Sequence, residues 1–339
     1  MEKGIDRIKI DISTTTVIKI ALAIFLVWFL YVIRDIVVLF FIVLVIVAAL
    51  GPLVDRMSKH IPRFLSVIIL SIVFLGLLGA IGYLIVPPII TQLKTLAINL
   101  PIIISKLGPV YQSIQHSIGN YQEGLFNLSS QLGKISSGLY STTLGFVSGI
   151  VAFFTILVLA FYLLLEQDAI KNFLHQTVPG ERKEKIFEIT KKIGQKMGGW
   201  LRGQVLMMLI IGVADSIALV SLGIPYALTL AVWGGITEVI PYIGPWLGLA
   251  PALIIAFTIS PLKGLLILIA YVIIQQLESQ FLVPKILGKA VGLSPVIIIL
   301  ALLIGAKLMG ILGVIIAVPV AAALSVFIQE WPEIKNLRN

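Results

Sequence analysis

The sequence predicts an all-α, polytopic integral membrane protein whose C-terminal half contains broken or re-entrant helices. Three observations carry this. Of 339 residues, 59% are hydrophobic and only 12% charged, and several apolar runs reach or approach the roughly 20 residues that cross a hydrocarbon core as an α-helix. Lys and Arg fall mainly beside those runs, where they orient a chain in the bilayer and meet anionic headgroups. Towards the C terminus, prolines and glycines interrupt apolar segments at "PYIGP" (241–245) and near "KLMG" (307–310), where a regular helix is hard to continue.

Residues 1–88 are read as N-terminal transmembrane helices. An apolar run over 17–33 leads at once through Arg34 and Asp35 into a second over 36–49, so a cleaved signal peptide is not expected. The loop over 51–63 sets Arg56, Lys59 and Arg63 against one acid, Asp55. By the positive-inside rule it is cytoplasmic, which puts the N terminus there as well and sends the run over 64–86 outward to "VPPII". Residues 89–143 mix Gln, Ser, Asn and Gly with Leu and Ile at near-helical spacing, and Lys94, Lys106 and Lys134 are their only basic residues. They are read as an extracytoplasmic amphipathic segment that caps the core, lies on lipid, forms subunit contacts or merely connects.

The run over 144–165 returns to the cytoplasm. Residues 166–203 carry eight Lys or Arg against five acids, with Ile186, Ile189 and Ile193 in an apolar stripe, and read as a cytoplasmic or interfacial helical segment with a solvated charged face. A motif-rich transmembrane core follows over 204–329, and 330–339 is a cytoplasmic tail.

Within this core, Asp215, Glu238 and Glu278 are the only acids before Glu330. A charge at a helix centre costs roughly 2.5–3.5 kcal/mol on insertion scales, so such a residue is turned toward protein or water and is a functional candidate. Glu238 precedes a bend set by Pro241, Gly244 and Pro245, whose freed carbonyls suit a cation or polar solute, and broken backbone at membrane depth requires cover by protein or a water-filled cavity. In "QQLESQ", helical spacing puts Gln275 and Glu278 on one face and Gln276 with Gln280 on another. These amides suit a hydroxyl-rich solute or hydrated ion, or else a polar helix end among headgroups. Two roles stay open for Lys307: neutralising Asp215, Glu238 or Glu278 inside the protein, or snorkelling from a hairpin tip. Asp215, Glu238, Pro241, Gly244, Pro245, Gln275, Gln276, Glu278 and Lys307 together form the predicted pathway.

Two topologies keep both termini cytoplasmic. Single crossings over 226–259 and 295–327 give eight spans; re-entrant hairpins give six spans plus two hairpins. The hairpins place Lys285 and Lys289 inside and satisfy the charge rule better.

Other classes find little support. Without Cys there is no disulfide framework or thiolate site, and His60, His116 and His175 lie too far apart in sequence to suggest a zinc constellation. No metal or cofactor is expected. The net charge of +9 is explained by membrane placement, so no nucleic-acid partner is expected. Absence of "GxxxxGK[ST]" argues against ATP-driven transport within this chain, and absence of "HExxH" and "GxSxG" against an enzyme.

Five stretches carry a family resemblance: "WLRGQ" (200–204), "LGIPYAL" (222–228), "IPYIGPWLGLAPA" (240–252), "QQLESQFLVPKILGKAVGLSP" (275–295) and "GAKLMGILGVIIAVPVAA" (305–322). Together they resemble the autoinducer-2 exporter (AI-2E) transporter family. The resemblance implies a secondary transporter exporting a small polar solute or signal such as autoinducer-2, with or without ion coupling; the alternative is a sodium or lithium/proton antiporter. A channel or membrane scaffold is the competitor from another class. The expected partners are a small polar solute or cation, membrane lipid and further copies of the chain in a homo-oligomer, in the inner (cytoplasmic) membrane.

Overall fold

In a computed structural model of the chain, the described residues are 14–77, 143–166, 182–288 and 292–336, with isolated positions between 79 and 91 and at 172 and 176. The predicted segment 89–143 lies almost wholly outside them. The described residues are helical, with short connections and no strand: α1 Thr14–Val32, α2 Arg34–Met57, α3 Arg63–Leu77, α4 Thr143–Leu165, α5 Arg182–Ser221, α6 Ala227–Thr237, α7 Gly244–Ile259, α8 Pro261–Leu277 and α9 Pro295–Asn336. Among the described residues, four helices are long and apolar enough to cross a membrane. Large apolar side chains such as Leu22, Trp28, Leu209 and Ile217 lie on the outside, as they do where lipid is the solvent. The protein is an all-α, multi-pass membrane protein.

The mast of the fold is α5. Its 40 residues make a rod of about 60 Å at 1.5 Å per residue, continuous across the polar-to-apolar change of composition near residue 203. Its first half packs with α2 and the C-terminal part of α9, where Val45, Met197, Trp200, Val318 and Ala322 form one core. The second half packs with α6, α7 and α8 through Leu219, Leu230, Ala252 and Ile267. A smaller core of Val54, Val67 and Leu164 joins α2, α3 and α4. There Arg63 donates to the Leu164 carbonyl at 2.8 Å and pairs with Asp55 at 2.8 Å, bringing the α2–α3 turn and the end of α4 to the same side. Near the start of α5, Lys192 pairs with Glu188 and Glu330, each at 2.8 Å, tying α5 to the end of α9.

Contact between α2 and α5 rests on a specific exchange. Pro52, inside α2, has no N–H to give the carbonyl four residues earlier, that of Ala48. Arg202 supplies the replacement, donating from Nη1 to Ala48 O at 3.1 Å and Ala49 O at 3.0 Å. Gly198 allows the approach, because a Cβ there would overlap the Ala48 carbonyl. Arg202→Ala is therefore expected to cost about 1–3 kcal/mol, the scale of a carbonyl left unsatisfied. Pro52→Ala restores a donor within α2 and should shrink that loss in a double-mutant cycle read by thermal unfolding. Equal losses in both backgrounds would remove the explanation.

The chain reverses at both predicted breaks. Between α6 and α7, residues 238–243 turn with Tyr242 at φ +66°, and the arms close tightly: a Cβ on Gly244 would overlap the Thr237 carbonyl, and Trp233 Nε1 donates to Leu247 O at 2.9 Å. With 11 and 16 residues, the arms are about 16 and 24 Å long, shorter than the roughly 30 Å hydrocarbon core. In α9 the break falls at Met309 (φ −143°) and Gly310 (φ +59°, ψ −137°). Beyond it Gly313 lies backbone to backbone against Gly305, although eight residues of straight helix would separate them by about 12 Å. A hairpin is the geometry that joins them.

Candidate functional site

Glu238 ends α6, with its N–H bonded to Gly234 O at 3.2 Å. Pro241 denies the helix its next donor, and the following bonds tighten to three-residue turns, Val239 to Ile236 and Ile240 to Thr237. Because the backbone breaks before residue 242, the Glu238 carbonyl is left without a helical donor. The Gln204 amide on α5 takes that place, Nε2 donating at 2.5 Å. The bend is thus held to the mast by one buried side chain, and the Glu238 side chain, 2% exposed, is turned into the protein.

Opposite it, α8 loosens into π-helical turns over Glu278–Leu282 and Pro284–Gly288, a wider winding often found at functional positions. It brings in Glu278, 6% exposed, within hydrogen-bonding reach of the Glu238 carboxyl and of Gln275. The far end of this π segment rests on α5, where Gly203 faces Ile286 and Leu287. Between these elements lies a cavity of about 430 Å³, lined by Trp200, Gln204, Glu238, Pro241, Gln275 and Glu278 among others. Trp200 Nε1, Gln204 Oε1 and Glu238 Oε2 are buried and find no hydrogen-bond partner among the described residues. Such groups are costly unless a ligand, ion or water satisfies them.

The structure brings Glu238, Pro241, Gln275 and Glu278 together on one cavity. Gly244 and Pro245 stand just behind it, Gly244 packed on the Thr237–Glu238 backbone and Pro245 opening α7. Gln276 is on the outer face, bonded by Gln280 at 3.2 Å. Asp215 is buried one layer away, against Gly234 and beside Tyr271. Lys307 is exposed at the tip of the second hairpin, forms no ion pair among the described residues and is not part of the cavity lining. No three His, Asp or Glu among the described residues are grouped to hold a metal. Trp200, Gln204 and Tyr271 had no role assigned from sequence; the one signal was Gln204 as a lone amide closing "WLRGQ" at the start of an apolar span.

Comparison with known proteins agrees with this architecture. The family model described as AI-2E family transporter matches residues 20–333. Among relatives, "Putative transport protein YueF" of Bacillus subtilis (strain 168) is 32% identical over 302 residues, covering 85% of this chain and 82% of that protein. "Putative transport protein YrrI" of the same organism is 32% identical over 282 residues, covering 81% and 80%. A "Sodium-lithium/proton antiporter" of Halobacillus andaensis is 25% identical over 279 residues, covering 75% and 77%. With its five motifs inside the matched region and its broken C-terminal helices around one acidic cavity, the chain belongs to the AI-2E family of transporters.

Proposed function

We propose that this protein is an ion-coupled secondary transporter in which the Glu238–Glu278 pair exchanges protons for a small monovalent cation. The carrying observation is the pair itself: two buried carboxyls within reach of each other on one cavity, with no basic side chain among the described residues that line it. Two adjacent carboxylates repel, so each cation or proton that enters relieves that repulsion. That is the requirement for exchange: either occupant satisfies the site, and both together are superfluous. The similarity to the sodium-lithium/proton antiporter of Halobacillus supports this choice of cargo.

Size supports a second reading. A cavity of about 430 Å³ is many times the roughly 30 Å³ share of one water, which leaves room for a small polar solute, including a signal such as autoinducer-2, beside the ion. The Trp200 N–H and the Gln204 carbonyl offer a donor and an acceptor to its hydroxyls. The test is flux in proteoliposomes with imposed sodium, lithium and proton gradients and a panel of small hydroxylated solutes. Saturable, gradient-dependent exchange is expected; unsaturable flux linear in concentration would instead make the protein a channel.

The same reading places 166–203 in the cytoplasm and 89–143 outside, because eight basic residues in the former stand against three in the longer latter. Single cysteines in this Cys-free chain test it. Gln112→Cys should react with an impermeant maleimide only from outside and Lys183→Cys only from the cytoplasmic side; the opposite pattern inverts the topology.

A further inference from the structure

Asp215 is the one core carboxylate outside the cavity. It sits midway along the second half of α5 with 1% of its surface exposed, and Oδ1 has no hydrogen-bond partner among the described residues. Oδ2 lies against Gly234 of α6 so closely that a Cβ there would overlap it; the glycine makes the space that the carboxyl fills. From α8 the Tyr271 hydroxyl stands beside the Asp215 carboxyl without closing a hydrogen bond, itself buried and without a partner among the described residues. The other ionisable groups facing this pocket are Glu278, further along α8, and beyond it Glu238 at the end of α6. The remaining residues of α6 carry no charge. Neither Asp215 nor Tyr271 lines the cavity.

A carboxylate so placed needs a positive partner, and the space limits which. Asp215 and Tyr271 offer three side-chain oxygens against a glycine backbone, too few to replace the hydration shell of a metal cation, whereas a proton needs only two facing oxygens. The pair supplies them in both charge states. When Asp215 is neutral its O–H donates to the Tyr271 oxygen; when it is ionised the Tyr271 O–H donates to it. One proton enters or leaves as H⁺, no other bond changes, and the hydroxyl rotates. We infer that Asp215 and Tyr271 form a second, proton-specific site, closed to the transported cation and coupled through space to occupancy of the Glu238–Glu278 pair. A cation on the pair cancels negative charge near Asp215 and favours release of its proton; an empty, ionised pair favours its retention.

This inference rests on the carboxylate-pair reading for its coupling and stands alone for the proton. Infrared difference spectra of the full-length protein in liposomes separate the two, using sodium and lithium chloride as probes. At fixed pH the wild type should lose protonated-carboxyl absorbance on adding either salt, and Asp215→Asn should lack one carboxyl component of that change and release one proton fewer while still binding the cation. Tyr271→Phe, which removes a single O–H and creates almost no void, should keep that component but shift its frequency. An Asp215→Asn spectrum and proton count identical to wild type would overturn the proposal, as would an unshifted band in Tyr271→Phe. If neither salt changes the wild-type spectrum, the cation reading of the pair fails on its own. The Asp215 component is then sought by raising the pH without salt: a titrating band missing in Asp215→Asn keeps the proton site, and its presence there ends it. Should Asp215→Asn fail to fold, the frequency shift in Tyr271→Phe decides alone.

Discussion

Glu238→Gln is expected to abolish coupled transport while leaving the protein folded. The amide has nearly the same volume, and the two contacts that hold this stretch in place, the Gln204 amide on the residue 238 carbonyl and the residue 238 N–H on Gly234 O, are made by backbone atoms that the substitution leaves alone. What disappears is one negative charge and one protonation site facing Glu278. Charged hydrogen-bond partners contribute roughly 1.5–3 kcal/mol, so cation affinity should fall by about one to two orders of magnitude. Proton exchange should fall further, because Glu278 alone no longer has a carboxyl neighbour whose charge changes with occupancy. Proteoliposome flux normalised to folded protein, with sodium and proton gradients imposed separately, measures both effects. Wild-type flux with unchanged ion dependence would show that the bend is architecture and that the charge at 238 is idle. Gln204→Leu gives the complementary case: it keeps both carboxyls but leaves the Glu238 carbonyl without its donor, so the loss should appear in thermal stability together with flux.

The parts of this site that could be read in the sequence are those set by local geometry. At about 100° per residue, Gln275 and Glu278 had to share one side of α8 and Gln276 and Gln280 another, and in the structure the first pair faces inward while the second pair bonds at the surface. The breaks were legible for the same reason, because Pro241 and Gly310 act on their own backbone. Gln204 stood out only as a lone amide at the start of an apolar span, and its task was illegible: it exists only because a carbonyl 34 residues later loses its helical donor, a fact about tertiary contact. Tyr271 and Asp215 lie on different helices, and no periodicity predicts their meeting. The side chain of Lys307 had two physically reasonable destinations, core or surface, and packing selected the surface. Composition also divided 166–203 from the span that follows, whereas the backbone hydrogen-bond ladder runs on through a change of polarity, and α5 emerges as one helix.

Gly305→Val is expected to have the second largest effect, on folding. The two arms of the α9 hairpin meet through Gly305 and Gly313: a Cβ on either would overlap the other's carbonyl oxygen, and the one on Gly305 would also press on Ala317 at 3.3 Å. The obstructing atoms are backbone, which cannot swing aside as a side chain does, so the arms must separate. Overpacking of this kind costs about 1–3 kcal/mol or more, and here separation would also disturb Leu302, Val314 and Val318, which belong to the core shared with Trp200 on α5. The damage should therefore reach the cavity wall, since Val318 and Trp200 both line it. Gly310→Ala isolates the other reason for glycine in this hairpin. Its Cβ would meet nothing within 4 Å, but φ +59° with ψ −137° is a backbone state that residues with a side chain rarely adopt, at a cost of order 1–3 kcal/mol. Gly310→Ala should fold with a lowered unfolding temperature and a monodisperse size-exclusion profile, while Gly305→Val should yield little monodisperse protein. A Gly305→Val protein as stable as wild type would mean that the two arms do not close against each other in the membrane, and that α9 crosses as one kinked helix.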